Sequence, residues 1–164
     1  MVSLARRGFF QGRLSTAAGS IRPPWALPET EFIDACTRCD DCLAACPTQI
    51  ITTGIGGFPA IDFHQGECTF CSACVQACGP EALRVSESRS AWTLAPVIAD
   101  SCLASNNIEC RVCAEACDHT AIRFFPRAGG IALPVINASL CNGCGACVAP
   151  CPGAAITLKE GSCK

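Results

Sequence analysis

The sequence predicts an α+β chain of four short repeats arranged as two βαββαβ units, and three observations predict it. Its 17 cysteines are gathered into groups with a common spacing. Each group precedes a short run of strand-forming residues, and the first three runs continue into a turn and a second run. Ordinary core material is scarce: Val, Ile, Leu and Phe number 37 among 164 residues, while 25 alanines and the cysteines supply much of the rest of the hydrophobic content. Something besides aliphatic burial must organise this chain. Its 12 basic and 14 acidic residues give a net charge of −2, without the cationic excess that holds a nucleic acid backbone. No run approaches the roughly 18 apolar residues of a membrane span.

The groups are Cys36, Cys39, Cys42 and Cys46; Cys68, Cys71, Cys74 and Cys78; Cys102, Cys110, Cys113 and Cys117; and Cys141, Cys144, Cys147 and Cys151. Groups one, two and four read C-x2-C-x2-C-x3-C. Two-residue gaps let a tight loop turn three sulfurs inward with its backbone N–H groups, and the three-residue gap sends the fourth sulfur one helical turn on, facing away. This is the bacterial ferredoxin run, in which three thiolates hold one iron–sulfur cube and the fourth goes to its neighbour. Pro47 and Pro152 follow directly and stop the turn, Pro80 comes one residue late, and the third group has Asp118 instead. Zinc sites usually place a long loop between their C-x2-C pairs and need no third cysteine two residues on. A disulfide framework needs an oxidising compartment, which the N-terminus argues against. The spacing therefore predicts tandem bacterial-type [4Fe–4S] ferredoxin repeats carrying four cluster-binding motifs and three or four clusters per chain.

The third group is altered: seven residues, Leu103 to Glu109, separate Cys102 from Cys110. Either the cluster has been lost there, or the added loop bulges out at modest entropic cost. All four sulfurs remain, which favours a cluster. The strands expected after the groups are Ile50 to Thr53, Ala82 to Val85, Ala121 to Phe124 and Ala155 to Leu158. Phe58 to Phe63, Trp92 to Ile98 and Ile131 to Ile136 supply the second strands. The domains follow as a basic arm over 1–27 and repeats over 28–58, 59–90, 91–130 and 131–164.

If neighbouring repeats exchange fourth cysteines, the sets are Cys36, Cys39, Cys42 and Cys78, then Cys68, Cys71, Cys74 and Cys46. The second half gives Cys102, Cys110, Cys113 and Cys151, then Cys141, Cys144, Cys147 and Cys117. A nested exchange, first repeat with fourth and second with third, also fits the spacing, and the sequence does not choose between them. Every ligand is a thiolate, so metal binding carries much of the folding free energy. His64 and His119 read as surface residues, Trp25 and Trp92 as packing anchors, and Cys163 as a terminal thiol. No G-x-G-x-x-G fingerprint or other catalytic constellation is present, and an independent enzyme is not expected.

The arm contains Arg6, Arg7, Arg13 and Arg22, with no acid before Glu29. Arg6-Arg7-Gly8-Phe9-Phe10 looks like a twin-arginine export signal, yet Arg13, Arg22, Pro23 and Pro24 break any hydrophobic region and no small-residue cleavage site follows. The reading is a protein retained in the cytoplasm, whose arm is either a solvated tail or a docking segment for an acidic partner, through Arg6 and Arg7.

Together these features resemble the NapF family, the ferredoxin-type accessory proteins of periplasmic nitrate reductase. The resemblance rests on Arg6-Arg7-Gly8, Ile21-Arg22-Pro23-Pro24-Trp25, Cys36-Thr37-Arg38-Cys39, the widened group with Cys102-Leu103-Ala104, and Cys141-Asn142-Gly143-Cys144-Gly145-Ala146-Cys147. It covers essentially the whole chain. It implies a cytoplasmic role in maturation of the nitrate reductase catalytic subunit, binding that subunit before export and aiding assembly of its [4Fe–4S] cluster. The competing expectations are a polyferredoxin electron carrier in a quinol-to-nitrate-reductase chain, or a polyferredoxin subunit of a membrane complex.

Overall fold

Repeats of about thirty residues leave room only for short elements, and the computed structural model, which describes residues 20–86 and 90–161, has them. In chain order they are α1 (Glu29–Ala35), α2 (Asp41–Ala44), β1 (Ile51–Thr53), a 3-10 turn (Ile55–Gly57), β2 (Pro59–Ile61), α3 (Ala73–Gln76), β3 (Leu94–Ile98), α4 (Val112–Glu115), β4 (Ile122–Arg127), β5 (Gly130–Ile136) and β6 (Ile156–Glu160). The strands form three antiparallel pairs: β1 with β2, β4 with β5, and β3 with β6. Ile51 faces Ile61, Ile122 faces Ile136, and Ile98 faces Ile156. The structure is thus a small mixed helix and strand fold in two halves.

The expected units are realised unevenly. In the second half the outer strands β3 and β6 pair over five residues. In the first half the expected strand Ala82 to Val85 shrinks to one bridge, Leu83 to Ala26. Leu27 N–H donates to Ala82 O and Arg84 N–H to Trp25 O, but Pro23, Pro24 and Pro28 flank the partner segment and cannot extend the ladder. The fourth repeat also lacks its helical turn. Ala45, Ala77 and Ala116 each donate a backbone N–H four residues back, at 3.0 Å, and close the turns of α2, α3 and α4. The equivalent residue in the fourth repeat is Pro150, which has no N–H, and residues 146–150 form consecutive turns instead.

The core runs along the chain as a repeated pair of apolar residues. Ile50, Ala82, Ala121 and Ala155 are essentially fully buried four positions after the fourth cysteine of each group. Ile51, Leu83, Ile122 and Ile156 follow them, also buried. They pack with Phe32, Phe63, Leu94, Val148 and Leu158, and with the third cysteine of every group: Cys42, Cys74, Cys113 and Cys147.

Some of the segment 1–27 packs into the first repeat. Pro23 and Pro24 are buried, and the Arg22 guanidinium is clamped. It donates to Glu29 Oε1 at 2.7 Å and Oε2 at 3.0 Å, and to Pro59 O at 3.2 Å. It also lies 5.0 Å from the Phe32 ring centre and 5.4 Å from that of Phe58. The Arg22 side chain is only 17% exposed, so its charge-assisted bonds and ring contacts are little screened. Arg22→Gln should destabilise the first repeat by about 2 kcal/mol, read as faster loss of visible absorbance in chelator. Arg84→Gln breaks an ion pair whose side chains are 60% and 70% exposed and should change that rate little.

Candidate metal centres

The loops between cysteines owe their shape to left-handed residues. In the first group Arg38 (φ 60°) and Asp40 (φ 62°) alternate with residues of negative φ. In the second Phe70 (φ 54°) and Ser72 (φ 58°) do so, and in the fourth Gly143 (φ 78°) and Gly145 (φ 84°). Such alternation turns successive backbone N–H groups toward one point and makes an anion-binding concavity, suited to the negative sulfurs of a cluster. The third group departs from this. Arg111 between Cys110 and Cys113 has φ −134°, and the left-handed residue is Asn107 (φ 59°) in the inserted loop.

A further left-handed residue stands three positions after every fourth cysteine: Gln49, Glu81, Thr120 and Ala154, with φ between 44° and 56°. Each donates its N–H back to that cysteine's carbonyl, at 2.9–3.2 Å. The next N–H is thereby aimed at sulfur: Ala121 donates to Cys117 Sγ at 3.3 Å and Ala155 to Cys151 Sγ at 3.4 Å. The turn at Cys117 has this geometry without a proline. The left-handed residue, and not the proline, is what all four turns share.

These turns deliver the fourth sulfur to the neighbouring loop. Cys36, Cys39, Cys42 and Cys78 line one cavity with Phe32, Ala82 and Leu83. Cys68, Cys71, Cys74 and Cys46 line a second with Ile50 and Ile51. Cys102, Cys110, Cys113 and Cys151 line a third with Leu103 and Ile156. The three hold about 330–360 Å3 of space including their mouths. In the fourth set, Cys144 and Cys147 feel the charges of Cys141, and Cys144 also that of Cys117. The structure therefore brings together the neighbouring-repeat sets and not the nested ones. The altered third group closes a cavity as large as those of the first two, because the insertion folds back on itself. Asn106 N–H donates to Cys102 O at 3.1 Å and Ile108 N–H to Leu103 O at 2.9 Å, with Ala104 fully buried beneath.

The donor set selects the occupant. Sixteen of the cysteines lie among the described residues, all as free thiols; Cys163, Arg6 and Arg7 lie outside them. Among the described residues no three His, Cys, Asp or Glu donors are grouped tightly enough for a single ion; the thiols of the first three sets instead line cavities four to a set, the donor set of a [4Fe–4S] cube. His64 and His119 are exposed; His119 shares a hydrogen bond of 2.8 Å with Asn142.

Crowding marks the same thiols. Burial, then the charges of Cys78 and Cys36, pushes Cys42 up to about 11. Burial and Cys68 push Cys74 up to about 12. Burial and Cys102 push Cys113 up to about 11, and burial and Cys144 push Cys147 up to about 12. Without metal these groups hold their protons at neutral pH, and the four cysteines of each set would give them up on holding a cluster. Cys46 goes the other way. Burial raises it, but hydrogen bonds from the Thr48 hydroxyl and from the N–H groups of Ile50, Thr48 and Ile51 outweigh burial and lower it.

Comparison with known proteins agrees with this chemistry. A family model described as a 4Fe-4S dicluster domain matches residues 35–82 and 108–160, one match in each half. The chain is 47% identical to the ferredoxin-type protein NapF of Escherichia coli (strain K12), over 96% of both chains. The chain belongs to the NapF family. Its identity with the ferredoxin-type protein NapF of Haemophilus influenzae is 42%, over 96% of this chain and 95% of the other. The methylamine utilization ferredoxin-type protein MauM of Methylophilus methylotrophus is 28% identical over 92% and 74% of the two chains. No solved structure matches. This NapF-family chain is a ferredoxin-type iron–sulfur protein binding [4Fe–4S] clusters, and among the described residues no helix is long and apolar enough to cross a membrane.

Hydrogen bonds to sulfur stabilise the more negative, reduced state of a cluster and raise its potential. Thr48 Oγ1 lies 3.5 Å from Cys46 Sγ. Thr48→Val, by removing one such bond worth about 1 kcal/mol, should lower the potential of the second site by about 40 mV for a one-electron couple, measured by redox titration.

Proposed function

We propose that this protein acts in the cytoplasm as a maturation factor for the catalytic subunit of periplasmic nitrate reductase. In this role it binds that subunit before export and helps its [4Fe–4S] cluster to be assembled. The observation that carries this reading is near end-to-end similarity to proteins named NapF. The sixteen cysteines serve as cluster ligands in four sets, the third included. The second cysteines of the first two groups, Cys39 and Cys71, are exposed, which leaves an edge of those two sites open to a partner. Arg6 and Arg7 are the residues offered to the subunit, and the chain acts as an accessory protein and not as an enzyme.

A second reading, a polyferredoxin electron carrier in a quinol-to-nitrate-reductase chain, is favoured by the two halves' direct contact between cysteine loops, where Cys68 N–H donates to Cys144 O at 2.8 Å. One experiment separates the two. The catalytic subunit purified from cells lacking this protein should be short of about four irons per molecule and correspondingly inactive. Restoration should come with the wild-type chain and fall with Arg6→Ala/Arg7→Ala. A subunit with full iron content and activity overturns the maturation role. Rapid reoxidation of this protein by the mature reductase would establish the carrier.

A further inference from the structure

Two ferredoxin-like halves can be strung on one chain without touching. Here they are locked together, and the lock sits between two particular cysteine loops. Cys68, which opens the second group, donates its backbone N–H to the carbonyl of Cys144, the middle of the fourth group, at 2.8 Å. Around this bond an aromatic cluster crosses the junction. Trp92, from the second half, meets Phe63 edge-on at 5.6 Å and Phe70 at 5.9 Å, and Phe70 in turn meets Trp25 at 6.3 Å. Trp25 N–H donates to Ala91 O at 2.7 Å.

The fourth loop is shaped for this contact. A Cβ on Gly145 would fall inside the Phe63 ring edge, and one on Gly143 would come within 3.1 Å of Leu94 and Trp92. Positive φ alone does not demand glycine at position 145. The corresponding residues of the first two groups, Asp40 and Ser72, hold φ 62° and 58° with side chains in place. What distinguishes Gly145 is the ring pressed against it. Within each half, the helical turns carry the third cysteine of one set and the fourth of the neighbouring set: Cys42 and Cys46 on or beside α2, Cys74 and Cys78 on or beside α3, and Cys113 and Cys117 on or beside α4. The two sets of a half are therefore neighbours.

We propose that the Phe63–Gly145 contact and the Cys68–Cys144 backbone bond seat the second cysteine set against the fourth. The four sites then run first, second, fourth, third, a spatial order different from their order in the chain. Phe63 and Gly145 are positioning residues: neither holds metal, and both decide which sites are adjacent. The order gives the sites two ends, the first set with exposed Cys39 and the third set with the inserted loop, and a middle made of the second and fourth. The proposal rests on the ligand assignment above and not on the partner, and iron content reports a failure of that assignment separately.

The test is magnetic. Cys39→Ser/Cys110→Ser removes one ligand from the first and third sites and should leave about eight irons, in the second and fourth. Chemically reduced, this chain should give an electron paramagnetic resonance spectrum split and broadened by interaction between its two clusters. Cys71→Ser/Cys141→Ser keeps the first and third sites and should give two narrow, unsplit signals. Gly145→Ser added to the first variant should abolish the splitting or lose the iron, and Phe63→Ala added to that should restore whichever was lost. Splitting in the second variant but not the first overturns the proposal. So does splitting that survives Gly145→Ser, or a loss that Phe63→Ala leaves unrepaired. Should a ligand-deleted chain fail to load, the same pair of substitutions is placed in the otherwise unaltered protein. There Gly145→Ser must simplify the multiply split spectrum and Phe63→Ala must return it; a spectrum indifferent to both overturns the order.

Discussion

The structure depends on the exchange of fourth cysteines between neighbouring repeats. A cysteine loop can gather three sulfurs by itself; the fourth comes from the neighbouring repeat, sent there by the helical turn after the first three loops and by consecutive turns after the fourth. Because Cys78 completes the set of Cys36 and Cys46 completes the set of Cys68, neither repeat closes its cavity alone. The apolar pair that follows each fourth cysteine travels with it. Ala82 and Leu83 wall the first set, while Ile50 and Ile51 wall the second. Core and metal site are thus built by the same stroke of chain, which is how so few aliphatic residues suffice.

The crowding of thiols couples cluster binding to proton release. Cys42, Cys74, Cys113 and Cys147 are buried among other sulfurs, and their ionisation is opposed first by burial and then by their neighbours. In the metal-free chain these thiols are protonated and neutral, so binding a cluster would release their protons and grow tighter as pH rises. Arg22, clamped between Glu29 and two phenylalanine rings, reinforces only the edge of the first repeat.

Much of this was legible in the cysteine spacing and in the short runs after each group. Ile50-Ile51 and its three counterparts announce both strands and core, and the recurrence of the cysteine groups announces the repeats. The departures have local causes. Leu83 makes a bridge instead of a strand because prolines bracket its partner, and Ala146 begins turns because Pro150 lacks an N–H. The left-handed residues at Gln49, Glu81, Thr120 and Ala154 share no side-chain type, so no residue pattern betrays them. Neighbouring and nested exchanges both fit the spacing, and only the cavities distinguish them. Gly145 carried a readable signal, a glycine where the first two groups have Asp40 and Ser72. Its meaning needs Phe63, eighty-two positions away in sequence.

The central claim is that metal and fold are one equilibrium. Its most direct measurement is a chelator titration of the oxygen-free holoprotein, with iron content and far-ultraviolet circular dichroism followed in the same samples. The account predicts that secondary structure and iron disappear together and return together on reconstitution. A colourless, iron-free chain that keeps its native spectrum and melts cooperatively would contradict it.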